Sequence, residues 1–436
     1  MLIEFNIGNF RSFGETQKFS FVAGNYEKNL PENKIVRPLP GMKGLDYLSA
    51  TAIYGANASG KSNLLTAFNA LCNFVGQSFR SDPNWPTCAV PFKLNESFHK
   101  LPTTFDIHFV IGDVRYQYTL SLTAEKVTVE SLIAYPKGRK QEWYRRQWNE
   151  ATEQYDWDFA NNLVKKGLPQ IAKITRPNVA FLSAAAHLNH TQLTEGYNWF
   201  TKSVKRLNFA EGILVPIHTI ESMEKSEKQY AQILSFLQNA DFDITKGLIS
   251  EKELPDNEIS KMIPPPVWQK IIQKQKEQNL QSTFRSVSVS FFHKGKKEDI
   301  EIDFENEESA GTKRYFSLLG PWLDVLENGY VLMIDELETC LHPLLVVELI
   351  KLFRSQYNKN GAQLIFTTHN PLLLDETLLR RDQIWFTEKK PTGETNLYPL
   401  SDFSPRKGEA LMKGYLTGRY GSIPFIPNGL GLKDSE

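Results

Sequence analysis

A chain of 436 residues of which 41% are apolar has ample material for a core and is long enough for two or three domains, which sets disorder aside. Lysine plus arginine equals aspartate plus glutamate at 50 each, so net charge gives no pull toward nucleic acid or an anionic membrane, and any basic surface has to be local. Three widely spaced cysteines (Cys72, Cys88, Cys340) exclude a disulfide framework or a four-cysteine zinc site, and no apolar run reaches the roughly 18 residues of a membrane span, so a cytoplasmic protein without membrane contact is expected.

Residues Leu2 to Phe13 alternate and predict an edge strand of a nucleotide domain, with a second strand over Thr16 to Val22. Between them, Arg11 and Ser12 either reach the base or phosphates of a nucleotide or occupy a solvated turn. The chain is organised around its next segment. An apolar strand over Ser49 to Tyr54 runs into GANASGKS (Gly55 to Ser62), and helical spacing of apolar residues continues over Asn63 to Leu71. G-x-x-x-x-G-K-[ST] between a strand and a helix is a loop whose main-chain N–H groups wrap a polyphosphate, with the lysine on the outer phosphates and the last hydroxyl on Mg²⁺. The helix start adds its positive dipole end to the charge of Lys61.

Period-two alternation over Thr104 to Val110 and Val114 to Leu122, broken by Gly112-Asp113, predicts a hairpin; strands over Val127 to Ala134 and Glu142 to Trp148 extend it to an antiparallel meander. Within it, residues 135–148 (YPKGRKQEWYRRQW) interleave Lys137, Arg139, Lys140, Arg145 and Arg146 with Trp143, Tyr144 and Trp148. This is either a nucleic-acid surface, using phosphate contacts and stacking, or a solvated hairpin with one aromatic face packed inward. Asn178 to His187 reads as a strand handing over to small residues. Helices are then expected over Trp199 to Phe209, Ser222 to Asn239 and Pro266 to Gln281, with Pro264-Pro265-Pro266 and Lys270 to Gln281 as an exposed arm. No heptad is sustained, which excludes a long coiled coil.

Strands return at Phe284 to Phe292 and Asp299 to Phe304. Ser309-Ala310-Gly311 then opens a helix over Arg314 to Glu327; it is a second anion-binding helix start or simply a cap. Tyr330 to Glu336 is an apolar strand ending in two carboxylates. Asp335 there suits Mg²⁺ and Glu336 suits polarising an attacking water. A helix over Leu344 to Tyr357 and a strand over Gln363 to Asn370 come next, the latter delivering His369 to the same rim.

The series GANASGKS, ESAGTKR, VLMIDELETCLHP and FTTHN resembles the ABC-type ATPase heads of the RecF, Rad50 and SMC group. NFRSF, FLSAAAHLN and KGYLTGRYGSIPFI add a resemblance to the stand-alone ATPases of bacterial anti-phage defence loci, the RloA-like and abortive-infection AbiL type related to PtuA and the PARIS ATPase. The implied fold class is α/β, a P-loop NTPase of ABC-head type with an antiparallel β-subdomain and an inserted helical lobe, divided as 1–184, 185–282 and 283–436. The implied cofactors are ATP and Mg²⁺. By motif, Gly55, Asn57, Ala58, Ser59, Gly60, Lys61, Ser62 and Asn63 hold the phosphates, with Arg11 and Ser12 nearby, and Ser62 and Asp335 hold Mg²⁺. Glu336 is the implied base, His369 the γ-phosphate sensor, and Ser309 and Gly311 the signature that caps the ATP of a second copy. His187 stands where the glutamine of the group's Q-loop is expected. The resemblance implies a homodimer or higher oligomer closed by ATP that regulates a partner effector, expected to be a nuclease; no nuclease constellation is visible in the chain itself. The alternative is a RecF-like DNA-repair ATPase that acts on DNA directly.

Overall fold

The computed structural model describes residues 1–164, 167–207, 216–240, 242–254, 284–404 and 410–424, with Gly408 and isolated positions between 258 and 273. Two units are distinguished, one of Met1–Gly212 with Asp324–Glu436 and one of Ile213–Leu323. The first begins with β1 (Leu2–Gly8), β2 (Gln17–Ser20), β3 (Lys34–Ile35), β4 (Tyr47–Leu48), β5 (Ala50–Gly55) and α1 (Lys61–Gln77). It continues through β6 (Thr103–Ile111), β7 (Val114–Leu122), β8 (Val127–Tyr135), β9 (Gln141–Asn149) and β10 (Gln154–Phe159) to α2 (Leu168–Ile174), α3 (Phe181–His187), α4 (Thr191–Lys202) and β11 (Val204–Leu207). The second unit holds α5 (Ile217–Lys225), α6 (Glu227–Asn239), β12 (Ile244–Leu254), β13 (Phe284–His293), β14 (Ile300–Asp303) and most of α7 (Ala310–Asn328). Back in the first unit come β15 (Val331–Ile334), α8 (Pro343–Leu352), β16 (Gln363–Thr367), β17 (Ile384–Lys389), β18 (Thr395–Pro399) and α9 (Leu411–Leu416).

The alternating strands form a seven-stranded antiparallel sheet in the order β10-β9-β8-β7-β6-β1-β2. Its inward residues pack on α1 and α4: the Phe5 and Phe68 rings lie 4.9 Å apart and Phe109 stacks on Trp199 at 4.2 Å. β1 lies between β6 and β2, so the expectation of an edge strand is corrected. Alternation tells which face is buried and says nothing of a strand's place in the sheet.

The continuous apolar strands form a second sheet, β11-β15-β16-β5-β17-β18, parallel except for the β17–β18 hairpin. Every residue of β5, β15 and β16 is buried, as a parallel sheet covered on both faces requires. Buried Gln363 joins the two sheets: its Oε1 accepts the Leu2 N–H at 2.6 Å, and its Nε2 donates to the carbonyls of Leu2 and Leu48 at 3.0 and 3.1 Å.

Residues 181–187, read as part of a strand, form helix α3. The N–H groups of Phe181 and Leu182 donate to the buried carboxylate of Glu130 at 2.8 and 3.0 Å, and an anion at a helix N-terminus holds this short Ala-rich turn in place. The helix expected over Trp199 to Phe209 ends at Lys202, and the chain turns into β11 beside β15, where main-chain pairing outweighs local propensity. α8 likewise stops at Leu352, short of Tyr357. The arm of Pro264 to Pro266 and Lys270 to Gln281 falls almost wholly outside the described residues. Strands β11 and β12 also mean that 185–282 is not a purely helical insertion, and the units divide near 212 and 323 instead.

In the second unit, the antiparallel sheet β12-β13-β14 packs by Phe291 against Phe304 and Phe316, with ring centroids 5.8 and 5.1 Å away. Pro321 inside α7 has no N–H to give the carbonyl of Ser317; the Thr219 hydroxyl donates to the carbonyls of Phe316 and Ser317 at 2.8 and 3.4 Å. Among the described residues no helix is long and apolar enough to cross a membrane.

Candidate nucleotide site

The loop between β5 and α1 is shaped by two left-handed residues, Ala58 at φ 61° and Gly60 at φ 114°. The β17–β18 hairpin cradles it. Ser59 Oγ lies 2.6 Å from Thr387 Oγ1, which also donates to the Tyr54 carbonyl at 3.2 Å, and Thr395 Oγ1 lies 2.8 Å from both the Ser59 carbonyl and Ser12 Oγ. A Cβ on Gly60 would overlap the Thr395 hydroxyl, so this position needs glycine for space as well as for φ. Lys61 is folded onto the loop itself, its Nζ donating to the carbonyls of Gly55 at 2.8 Å and Ala56 at 3.1 Å. Burial lowers the pKa of this ammonium, opposed by Asp335, Glu336 and Glu338.

Arg11 and Ser12 are set against the start of α1. Ser12 Oγ accepts from Asn63 Nδ2 at 2.8 Å, and Arg11 Nη1 donates to Asn63 Oδ1 at 3.4 Å. Arg11 holds φ at 51° while its N–H donates to Val90.

The acidic side forms at the ends of β15 and β16, next to β5 in the sheet. The Thr367 hydroxyl donates to Asp335 Oδ1 at 2.6 Å and accepts the Glu336 N–H at 2.7 Å, fixing both carboxylate residues; Glu336 is left-handed at φ 50°. The His369 N–H donates to Glu338 Oε1 at 2.6 Å, and Glu338 Oε2 is buried with no hydrogen-bond partner. The His369 pKa is lowered by partial burial and then by the Lys61 cation, opposed by Glu338, Glu336 and Asp335. The strand order thus brings the phosphate loop, the acidic pair and His369 to the carboxyl ends of three adjacent parallel strands, where doubly wound sheets bind ligands. The Ser62 hydroxyl and the Asp335 carboxylate are hard oxygen donors and fit Mg²⁺, which keeps phosphate and water oxygens in the rest of its shell.

A cleft of about 880 Å³ opens over the first half of the loop, walled by Gly55, Asn57, His369, Lys389, Tyr415 and Ser422. On its other side a cleft of about 330 Å³ is lined by Arg11, Ser12, Ala58, Asn63, Phe92 and Lys389. The tail wall is anchored by aromatic packing: Tyr415 meets Tyr54 at 5.5 Å and Phe386 at 5.8 Å, and Tyr420 meets Phe386 at 5.9 Å. The Tyr54 hydroxyl in turn donates to the Asn370 carbonyl at 3.1 Å.

Ser309 and Gly311 lie at the start of α7 in the second unit. There the exposed Ser309 caps the helix, its Oγ accepting the Thr312 N–H at 3.1 Å. His187 does not join the site. Its Nδ1 bonds the Ser183 carbonyl at 2.8 Å and its ring packs on Phe79 and Tyr197, all away from the phosphate loop. Nor do residues 135–148 form an interleaved surface. Trp143, Tyr144 and Arg146 are buried, while Arg139, Lys140 and Arg145 are exposed, so the inward-packed aromatic face is the reading the structure supports.

Sequence reasoning missed Thr367, Thr387, Thr395, Glu338 and Lys389. A lone threonine late in a strand carries no signal of its own, whereas Glu338, two residues past Glu336 in IDELE, had one.

The family model described as "AAA domain, putative AbiEii toxin, Type IV TA system" matches residues 50–375. No curated protein matches the chain. Among solved structures, the SMC head domain from Thermotoga maritima is similar at 12% identity and TM-score 0.39, covering 91% of this chain and 98% of its own. An SMC head domain with an extended coiled coil, bound to the C-terminal domain of ScpA derived from Pyrococcus furiosus, is similar at 11% identity and TM-score 0.37, covering 92% and 97%. The recombination mediator protein RecF is similar at 14% identity and TM-score 0.35, covering 91% and 98%.

Proposed function

The chain belongs to this AAA-domain family, and from that premise we propose that it binds ATP between two copies of itself and uses the closed state to control a partner effector in bacterial anti-phage defence. It is an ATPase with a P-loop NTPase fold of the ABC type. The observation that carries the reading is the convergence of Lys61, the Asp335-Glu336 pair and His369 on the ends of β5, β15 and β16.

In this reading the main-chain N–H groups of residues 57–63 wrap the phosphates, and Lys61 leaves the carbonyls of Gly55 and Ala56 for the β- and γ-phosphates. Ser62 and Asp335 would hold Mg²⁺, which when bound neutralises charge on the phosphate oxygens. Glu336 takes a proton from, or orients, the attacking water, and His369 faces the terminal phosphate as a hydrogen-bond partner. Thr367 keeps the acidic pair aligned.

Ser309 is exposed at a helix start, where its Oγ bonds the Thr312 N–H and hydroxyl; in this reading that helix start caps the nucleotide of a second copy and ATP is the glue of a dimer. Control of an effector, with a nuclease encoded alongside as the proposed partner, is supported by the resemblance of the motifs; the family description names a "putative AbiEii toxin, Type IV TA system". Direct action on DNA is weakened as an alternative because Trp143, Tyr144 and Arg146 are in the core. If DNA binds at the exposed residues that remain, Arg145→Ala flattens the salt slope by about 0.9 for each duplex phosphate that is no longer neutralised.

The site reading is tested with two variants. Glu336→Gln retains ATP binding and loses turnover, and Lys61→Ala loses binding; a Glu336→Gln protein that hydrolyses ATP at the wild-type rate overturns the assignment. Pull-down of an effector with Glu336→Gln and ATP, but not with Lys61→Ala, tests the partner.

A further inference from the structure

We propose that Lys389 is a second phosphate-binding cation of the nucleotide site, placed outside every motif of the phosphate-loop pattern. The proposal rests on the nucleotide reading above and deepens it.

Lys389 is the last residue of β17, and it is the residue common to the two clefts on either side of the phosphate loop. One cleft holds His369, Gly55 and Asn57, and the other holds Arg11, Ser12, Ala58 and Asn63. A side chain that borders both clefts adjoins the Asn57-Ala58 segment that lines them, within reach of a phosphate chain wrapped by the loop. Its backbone is fixed there, because Thr387, two residues earlier, bonds both Ser59 and the Tyr54 carbonyl.

The balance of charge at the hairpin separates Lys389 from its neighbour. Lys390 has carboxylates within reach, Glu15 at 3.6 Å and Glu394 at 4.0 Å. Lys389 is exposed and has no ion pair among the described residues. The adjacent Glu388 carboxylate is occupied by the Ser422 N–H at 3.4 Å and the Tyr398 hydroxyl at 3.3 Å. A nucleoside triphosphate brings about four negative charges; a bound Mg²⁺ and folded-back Lys61 meet part of them, Arg11 and Lys93 line the smaller cleft alone, and Lys389 is the cation that borders both clefts. A flexible ammonium at the rim suits a charge that arrives and leaves with the ligand, since lysine acts as a point charge without a fixed fork.

The test is the affinity of fluorescently labelled ATP, ADP and AMP, with inorganic triphosphate as competitor, for wild type, Lys389→Gln, Lys389→Arg, Lys390→Gln and Lys61→Ala. Lys389→Gln weakens ATP about 5- to 10-fold, weakens AMP less, and flattens the salt dependence of ATP binding, whereas Lys389→Arg stays within about twofold of wild type. Lys390→Gln binds as wild type does. A Lys389→Gln protein with wild-type affinity and an unchanged salt slope overturns the inference while Lys61→Ala still loses ATP, which leaves the nucleotide reading standing. Failure of wild type itself to bind ATP overturns both. An equal loss of ATP and AMP affinity also counts against a phosphate contact, and equal urea midpoints for wild type and Lys389→Gln show that the fold is not the cause.

Discussion

Replacing Arg146 with methionine is the sharpest test of how the antiparallel sheet is held together. Arg146 and Glu130 are both fully buried. The Glu130 carboxylate accepts from Arg146 Nε at 2.9 Å and Nη2 at 2.6 Å, from the hydroxyls of Tyr118 and Tyr144 at 3.0 and 2.8 Å, and from the N–H groups of Phe181 and Leu182. Breaking a buried pair by removing one partner costs about 3–5 kcal/mol because the other charge stays uncompensated. Arg146→Met belongs near about 3 kcal/mol, since four neutral donors still face the carboxylate and methionine keeps some of the packing on Tyr155 and Trp157. Glu130→Leu belongs at the upper end: it strands a guanidinium whose Nη1 already has no partner, and it uncaps α3. The double variant should lose less than the sum of the two, because neither charge is left alone. Urea unfolding followed by tryptophan fluorescence measures all three, with the slope checked for constancy. Arg146→Met within about 0.5 kcal/mol of wild type, or a strictly additive double variant, would refute the reasoning.

Three further outcomes are expected. A Lys61→Ala subunit mixed with a Ser309→Arg subunit recovers partial ATPase activity, since one composite site of the mixed dimer is intact; a wild-type rate from Ser309→Arg alone ends the shared-site idea. His369 has its pKa lowered below 6.5, so the folded protein resists its protonation, and what it contributes to activity and stability is present above pH 6.5 and lost as the pH falls below it. The pH–rate profile therefore shows no His369 ionisation at or above 6.5, and one that survives in His369→Gln belongs to another group. Gly60→Ala meets both a φ of 114° and the Thr395 hydroxyl, and its ATP affinity should fall at least tenfold; pairing it with Thr395→Ser restores little, because serine keeps the hydroxyl and the strain in φ, of order 1–3 kcal/mol, remains.

The site was legible where its signals are local. A glycine-rich loop between a strand and a helix, and an apolar strand ending in Asp335-Glu336, announce themselves because a buried parallel strand and a phosphate loop each constrain several consecutive residues. What failed depends on distant partners. Helix α3 is held by Glu130, some 50 residues earlier in the chain; Val204–Leu207 is a strand because β15 lies beside it. Arg146 looks like a surface cation until Glu130 is placed against it. Thr387 and Thr395 act on the loop across more than 300 residues, a separation at which no pattern in the sequence connects them to Ser59.

β5 carries the phosphate loop near the start of the chain, yet its two neighbours in the sheet are β16 and β17, and the loop rests on Thr387 and Thr395. During synthesis, at about 5–20 residues per second, the antiparallel strands can pair with one another as they leave the ribosome, while the loop waits for partners made last. A stalled or prematurely ended chain therefore presents the residues of the motif without the cradle that gives them their shape. Competence to hold nucleotide thus waits for the strands over residues 363–399, long after the motif itself has been made.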